Sequence, residues 1–175
     1  MQELSRTRDC VVLYKGDAFA VSVDGLMRQG GWQGGQGVQW IDSARDEFAV
    51  TYSDGQYGGF LLWGSNESSD QFISMVEQQP AYGYGIFCMG GWLILTRTFE
   101  QHTWASRTGG GPLVPVAYAV GDRLRFSLRG FWTKEDEWTL SGDPRAPNEA
   151  QIGTVVQAPV ANAIGIPYLT IQTNL

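Results

Sequence analysis

The sequence predicts an all-β protein of small barrel or sandwich lobes, with long Gly-rich loops and at most one short helix. Three observations carry that expectation. Short runs of alternating apolar residues are cut at roughly eight- to twelve-residue intervals by Gly, Pro, Asn or Asp, the pattern of a β sandwich or barrel. No convincing window repeats apolar residues at helical spacing with a cap in front and a cation behind. The 175 residues are 43% apolar and 13% aromatic, which supplies a sizeable core and argues against disorder.

The expected strands follow in chain order. Residues 10–14 and 18–23 come first, the former a run of Cys, Val, Val, Leu and Tyr that suits a pleated, buried surface. Residues 47–52 and 60–63 follow, with Asp54-Gly55 between them as a hairpin turn that tolerates positive φ. Residues 68–77 are the one helical exception: Ser68 or Ser69 can cap a short helix, and Phe72, Ile73, Met75 and Val76 also suit a strand. Strands 85–89 and 92–97 flank Gly90-Gly91 as an expected hairpin. Its unbroken apolar character implies burial on both faces or cover by another subunit. Further strands are expected at 103–106, 114–118, 123–128, 138–140, 153–157 and 168–172. The clusters Gly30-Gly31, Gly34-Gly35-Gln36-Gly37 and 109–112 read as turns and loop tips. The last divides the chain into an N-terminal β lobe, 1–111, with Gly- and Trp-rich loops, and a C-terminal small barrel, 112–175, with a terminal arm.

Charge and chemistry-bearing residues narrow the function. Charged residues are only 17% and the net charge is −6. With two lysines, Lys15 and Lys134, and no cationic run, no nucleic acid is expected as a partner. No stretch is apolar enough to span a bilayer, and residues 1–9 are polar rather than signal-like, so the expectation is a protein made in the cytoplasm with no membrane partner. Cys10 and Cys88 form no C-x-x-C and read as two free, buried thiols. The single histidine, His102, removes sites needing several imidazoles, and it reads as solvent-facing or at the core edge. There is no G-x-S-x-G elbow, and the glycine clusters match neither phosphate-binding pattern. The carboxylates Asp42, Asp46 and Glu47, and again Glu135, Asp136 and Glu137, lie in polar, turn-like stretches and are expected to be solvated. Asn66-Glu67-Ser68 matches a glycosylation sequon, which carries little weight beside a non-secretory start. No catalytic residue, cofactor or metal is therefore expected, and the protein is read as a non-enzyme.

One internal pattern stands out. Residues 16–25 and 121–130 both obey G-D-x-Φ-x-Φ-S-Φ-x-G, with Gly16, Asp17 and Gly25 in the first copy and Gly121, Asp122 and Gly130 in the second. Gly-Asp makes the turn into a strand, the Asp side chain is able to cap local amides, and the closing Gly ends the strand. In the second copy Arg123, Arg125, Ser127 and Arg129 form the expected half-exposed face. A recurrent strand–turn idiom and a duplication account for the pair equally well.

The second copy continues as Gly130-Phe-Trp-Thr133 and, after a loop, as Ile152-Gly153-Thr-Val-Val-Gln-Ala158. The string G-D-x-Φ-x-Φ … G-x-x-T … I-G-x-V-x-x-A, over residues 116–173, resembles the small β-barrel region of capsid decoration (cement) proteins of tailed bacteriophages. The resemblance implies a virion structural protein on the outer capsid surface, with the major capsid protein and its own copies as partners. Such a protein bridges shell subunits and favours the mature lattice by mass action. Its contact surface needs aromatic and arginine anchors with few competing charges. Trp32, Trp40, Tyr57 and Trp63, set among glycines, are the candidate interface anchors, with core filling as the other reading of each. The segments 1–9 and 158–175 lack a dense core pattern and read as arms onto a neighbour or as frayed tails. Two other functions fit the composition: a tail, neck or fibre-associated virion β protein, and a carbohydrate-binding β-sandwich using Trp32, Tyr57, Tyr82 and Tyr84.

Overall fold

The computed structural model describes residues 5–6, 9–22, 33–42, 47–49, 59–62, 84–88, 90–142 and 152–174. Two antiparallel sheets dominate it. The first runs in the order β1 (Ser5–Arg6), β2 (Cys10–Tyr14), β8 (Leu93–Thr96), β12 (Pro167–Thr173), β11 (Gly153–Ala161), β9 (Arg123–Phe126), β10 (Trp132–Thr133). The second runs β3 (Ala18–Ser22), β7 (Tyr84–Cys88), β6 (Gly59–Leu61), β4 (Gly37–Asp42), β5 (Glu47–Ala49). Strands from both sides of the 109–112 break share the first sheet. Two five-residue helices, α1 (Trp104–Thr108) and α2 (Glu137–Ser141), complete the described elements. The all-β class predicted by the sequence is the observed one.

The sheets are joined by a ribbon that bends from one into the other. β2 pairs with β8, opposing Tyr14 to Leu93, and β3 pairs with β7, opposing Ala18 to Cys88. Both strands of the ribbon turn the same corner, at Gly16 on one and Gly90-Gly91 on the other. Gly16 makes this possible, because a Cβ there would sit 2.2 Å from the Gly90 carbonyl oxygen. The Asp17 amide donates to that oxygen at 3.0 Å, and the Trp92 indole donates to the Asp17 carbonyl at 2.7 Å. Gly90-Gly91 is therefore a passage between sheets rather than the predicted hairpin turn, since β7 and β8 never pair with each other. On the β8 side its apolar flank, Trp92, Leu93 and Ile94, is buried.

The core lies where the sheets meet. Phe60 of β6 packs edge-on against Trp92 and Trp132, with centroid separations of 6.0 Å for each pair, and Phe126 lies 4.3 Å from Trp132. Cys10, whose thiol is buried, Val12, Ile94, Leu124, Val155, Leu169 and Ile171 fill the rest. Burial of these side chains is the main stabilising term, at about 1.5–3 kcal/mol for each large one.

Several local expectations are corrected. Residues 104–106 and 138–140 are helical, not extended. Thr103 caps α1 by accepting from the Ser106 amide, and Asp136 caps α2 by accepting from the Thr139 amide, with Gly142 closing that helix at φ +71°. Residues 114–118 form no strand beyond a single bridge between His102 and Pro115. The turn at 34–37 is buried rather than a loop tip: Gly35 turns at φ +86°, and a Cβ on Gly37 would lie 2.5 Å from the Phe126 ring. The Trp132 indole donates to the Gly35 carbonyl at 2.8 Å, and the Gly37 amide donates to the Gly130 carbonyl at 2.7 Å, which ties the second sheet to the first. Residues 169–173 belong to an interior strand of the first sheet, so the segment 158–175 is neither a free arm nor a frayed tail as a whole. The candidate helix at 68–77 and the Asp54-Gly55 turn lie outside the described residues.

Candidate functional site

Two features rise above the fold: a buried ionic cluster beside the helices and a two-stranded ribbon that outruns its neighbours. The cluster centres on Glu100, on the segment from β8 to α1, whose side chain is 0% exposed. Its main-chain amide donates to the Trp132 carbonyl at 2.8 Å, which fixes the residue against β10. One carboxylate oxygen accepts from Ser127 Oγ at 2.8 Å and Arg129 Nε at 2.7 Å, and the other accepts from Arg129 at 2.6 Å. Arg107 of α1 approaches the same carboxylate at 3.5 Å and forms an ion pair with Glu137 of α2. Glu137 also accepts from the Leu128 amide at 3.1 Å. Glu135 accepts from the Trp104 amide at 2.9 Å, at the start of α1, where a negative charge is favoured.

Glu100 and Glu137 thus each have a guanidinium partner and a hydrogen bond, as buried charges require. The arrangement clamps α1, α2 and the β9–β10 turn together. This overturns the expectation that Glu137 is solvated; on the half-exposed face expected for the second G-D copy, Arg123 and Arg129 are exposed and Arg125 is half-buried, and only Ser127 departs, fully buried under Glu100. Tyr118 donates its hydroxyl to the Glu100 carbonyl at 2.6 Å, and burial pushes its phenol well above the usual tyrosine range. His102 is half-buried and offers its carbonyl to Arg107 Nε at 3.0 Å. Among the described residues no group of three or more His, Cys, Asp or Glu is placed to hold a metal ion.

The G-D motifs occupy unlike places. Gly121 turns at φ +90° on an exposed corner, and the Asp122 carboxylate accepts from the Ala119 amide at 2.9 Å and from Lys134 Nζ at 3.1 Å. Those two bonds, the Ala119 amide first, hold the Asp122 carboxyl below its ordinary range. Gly16 and Asp17 instead make the sheet-crossing corner through main-chain contacts. The second copy converges with Ile152 and Gly153: the Ile152 amide donates to the Leu124 carbonyl at 2.8 Å, and Gly153 stands opposite Leu124 with room for no side chain against Trp132. Gly130 closes the β9–β10 turn at φ +80°, pressed on Gly37. Of the candidate anchors, Trp40 lies in β4 opposite Phe48. Trp32, Tyr57 and Trp63, like Gly25, lie outside the described residues, as does Tyr82.

The ribbon comes from β11 and β12. β9 accompanies β11 only at Gly153 and Thr154, with two further main-chain bonds to Val155, and β8 accompanies β12 only from Leu169 to Gln172. Among the described residues, 156–168 therefore run on as a two-stranded extension. Its turn is built by Asn162, whose side chain accepts from the amides of Ile164 at 3.0 Å and Ile166 at 2.9 Å, with Gly165 at φ +85°. Val156, Val160 and Ile164 are 43%, 54% and 79% exposed. Residues 150–175 contain no Asp, Glu, Lys or Arg. Sequence reasoning missed this feature as a unit; the absence of charge over the last 26 residues was its legible signal.

Comparison of the chain with protein-family models, curated proteins and solved structures yields no match.

Proposed function

We propose that the protein is a virion structural component that binds the outside of a tailed-phage capsid shell and stabilises the mature lattice. The observation that carries this reading is the uncharged extension at 156–168, which exposes Val156, Val160 and Ile164 on a chain of net charge −6. An exposed β ribbon without charged residues is an aggregation hazard unless a partner covers it, because natural edges are ordinarily guarded by charge. A lattice-bridging protein meets that condition in its working state. Burying an uncharged surface also strands no charge, so the contact loses little to desolvation. The resemblance of the G-D … I-G-x-V string to cement proteins supports the same reading.

Quantitative mass spectrometry of purified virus particles tests it. A copy number on the order of hundreds, in simple ratio to the major shell protein, is the expected result. A ring-sized number would assign the protein to the tail or neck. Absence from particles would overturn the virion reading, and retardation on polysaccharide gels would then favour the sugar-binding alternative.

A further inference from the structure

We propose that residues 103–114 form a strap that opens as a unit while both sheets stay folded, with Arg107 as the latch that holds it shut. The strap leaves and rejoins the body at one neck. There the Thr103 amide donates to the Val114 carbonyl at 2.8 Å, and just below it the Val116 amide donates to the Gln101 carbonyl at 2.9 Å. Between those ends lie α1 and the glycines 109–111, a compact loop with its ends together. None of residues 103–114 is buried, and none belongs to the apolar core. A Cβ on Gly110 or Gly111 would meet nothing within 4 Å, so the tip stands clear of the body.

Charge is what closes the strap. Arg107 forms its ion pair with Glu137 and comes 3.5 Å from Glu100, and the Trp104 amide donates to the Glu135 carboxylate at 2.9 Å. The Thr103 cap and the Gly109 amide, which donates to the Ala105 carbonyl at 2.9 Å, tie the strap to itself, so it moves as one piece. Segments with few buried apolar contacts lie at the low end of a protein's local stabilities. Opening releases Arg107 to water and leaves Glu100 with Arg129 and Ser127. Glu137 alone loses its guanidinium, and the departing strap admits water to it. The core loses no contact, and the device is independent of the virion reading.

Native-state hydrogen exchange of the full chain in low, graded urea tests this, with Arg107→Met beside the wild type. In the wild type the amides at 107 and 109, bonded to the Thr103 and Ala105 carbonyls, should exchange together through an opening nearly independent of urea. Their protection should lie about a hundredfold or more below that of Ile94 and Ile171 in the first sheet. Arg107→Met removes the latch and leaves the open form unchanged. Strap protection should then fall about tenfold or more, and sheet protection by no more than the wild-type strap's own protection factor, the most that closure can contribute. Wild-type strap amides that exchange only with global unfolding would overturn the inference. So would an Arg107→Met chain that fails to fold, strap protection unmoved by the substitution, or a sheet loss beyond that ceiling.

Discussion

Glu100→Ala is the sharpest test of the buried cluster. The substitution removes a carboxylate that accepts from Ser127 Oγ and twice from Arg129, with Arg107 at 3.5 Å. Deleting one member of a buried ion pair ordinarily costs about 3–5 kcal/mol, because the charge left behind is uncompensated. Here the stranded groups are partly relieved. The Arg129 side chain is 55% exposed and turns to water, and Arg107 keeps Glu137. The low end, about 3 kcal/mol, is the expected loss. For a chain of this length that lowers the melting temperature by about 6–12 °C. Arg129→Ala should cost less, about 1–2 kcal/mol, since Glu100 retains Ser127 and Arg107 and the removed pair is solvent-screened on one side. Urea unfolding of both variants and of the double variant closes a cycle whose coupling should be about 1–2 kcal/mol. A Glu100→Ala loss below about 1 kcal/mol would refute the reasoning and return the carboxylate to solvent.

Three further outcomes are expected. Gly37→Ala drives a Cβ into the Phe126 ring at 2.5 Å and should destabilise by about 1–3 kcal/mol in calorimetry; an unchanged melting temperature would mean the 34–37 turn yields freely. Gly16→Ala meets the Gly90 carbonyl oxygen at 2.2 Å, a backbone atom held by the Asp17 amide, and should cost more than about 2 kcal/mol or abolish soluble expression. Asp122→Ala removes the acceptor for the Ala119 amide and should cost about 0.5–2 kcal/mol near neutral pH. Because the folded carboxyl titrates below its unfolded value, this stabilisation is fully present above about pH 4 and fades as pH falls through the folded value. Denaturant unfolding of wild type and variant should therefore converge in acid, and a gap independent of pH would sink the carboxylate's part in it.

Local chemistry was legible wherever one residue and its near neighbours decide the outcome. The β2 strand at Cys10–Tyr14 appears at its predicted bounds, and β8, β9 and β12 lie within a residue or two, because short apolar runs bounded by turn residues have few alternatives. Strands 103–106 and 138–140 were misread, because a five-residue helix is too short for periodicity to register. Its evidence is in the caps, Thr103 for one and Asp136 with Gly142 for the other.

Partnership across the chain was not legible. Nothing near Glu100 in sequence announces Arg129, and nothing near Glu137 announces Arg107; a carboxylate in a polar stretch reads as solvated until a distant guanidinium closes on it. Gly16 and Gly90-Gly91 read as ordinary turn glycines, and only their mutual approach makes them the corner where a strand pair passes between sheets. The sequence by itself determined the all-β class, the turn chemistry of Asp122 and Gly121 and the charge-free final stretch, since each depends on composition or on neighbours a few residues apart. Tertiary structure alone decided which sheet each strand joins, which charges are buried and which apolar residues are left outside, because those are set by contacts between residues tens of positions apart, whose free energy exists only once the chain has closed on itself.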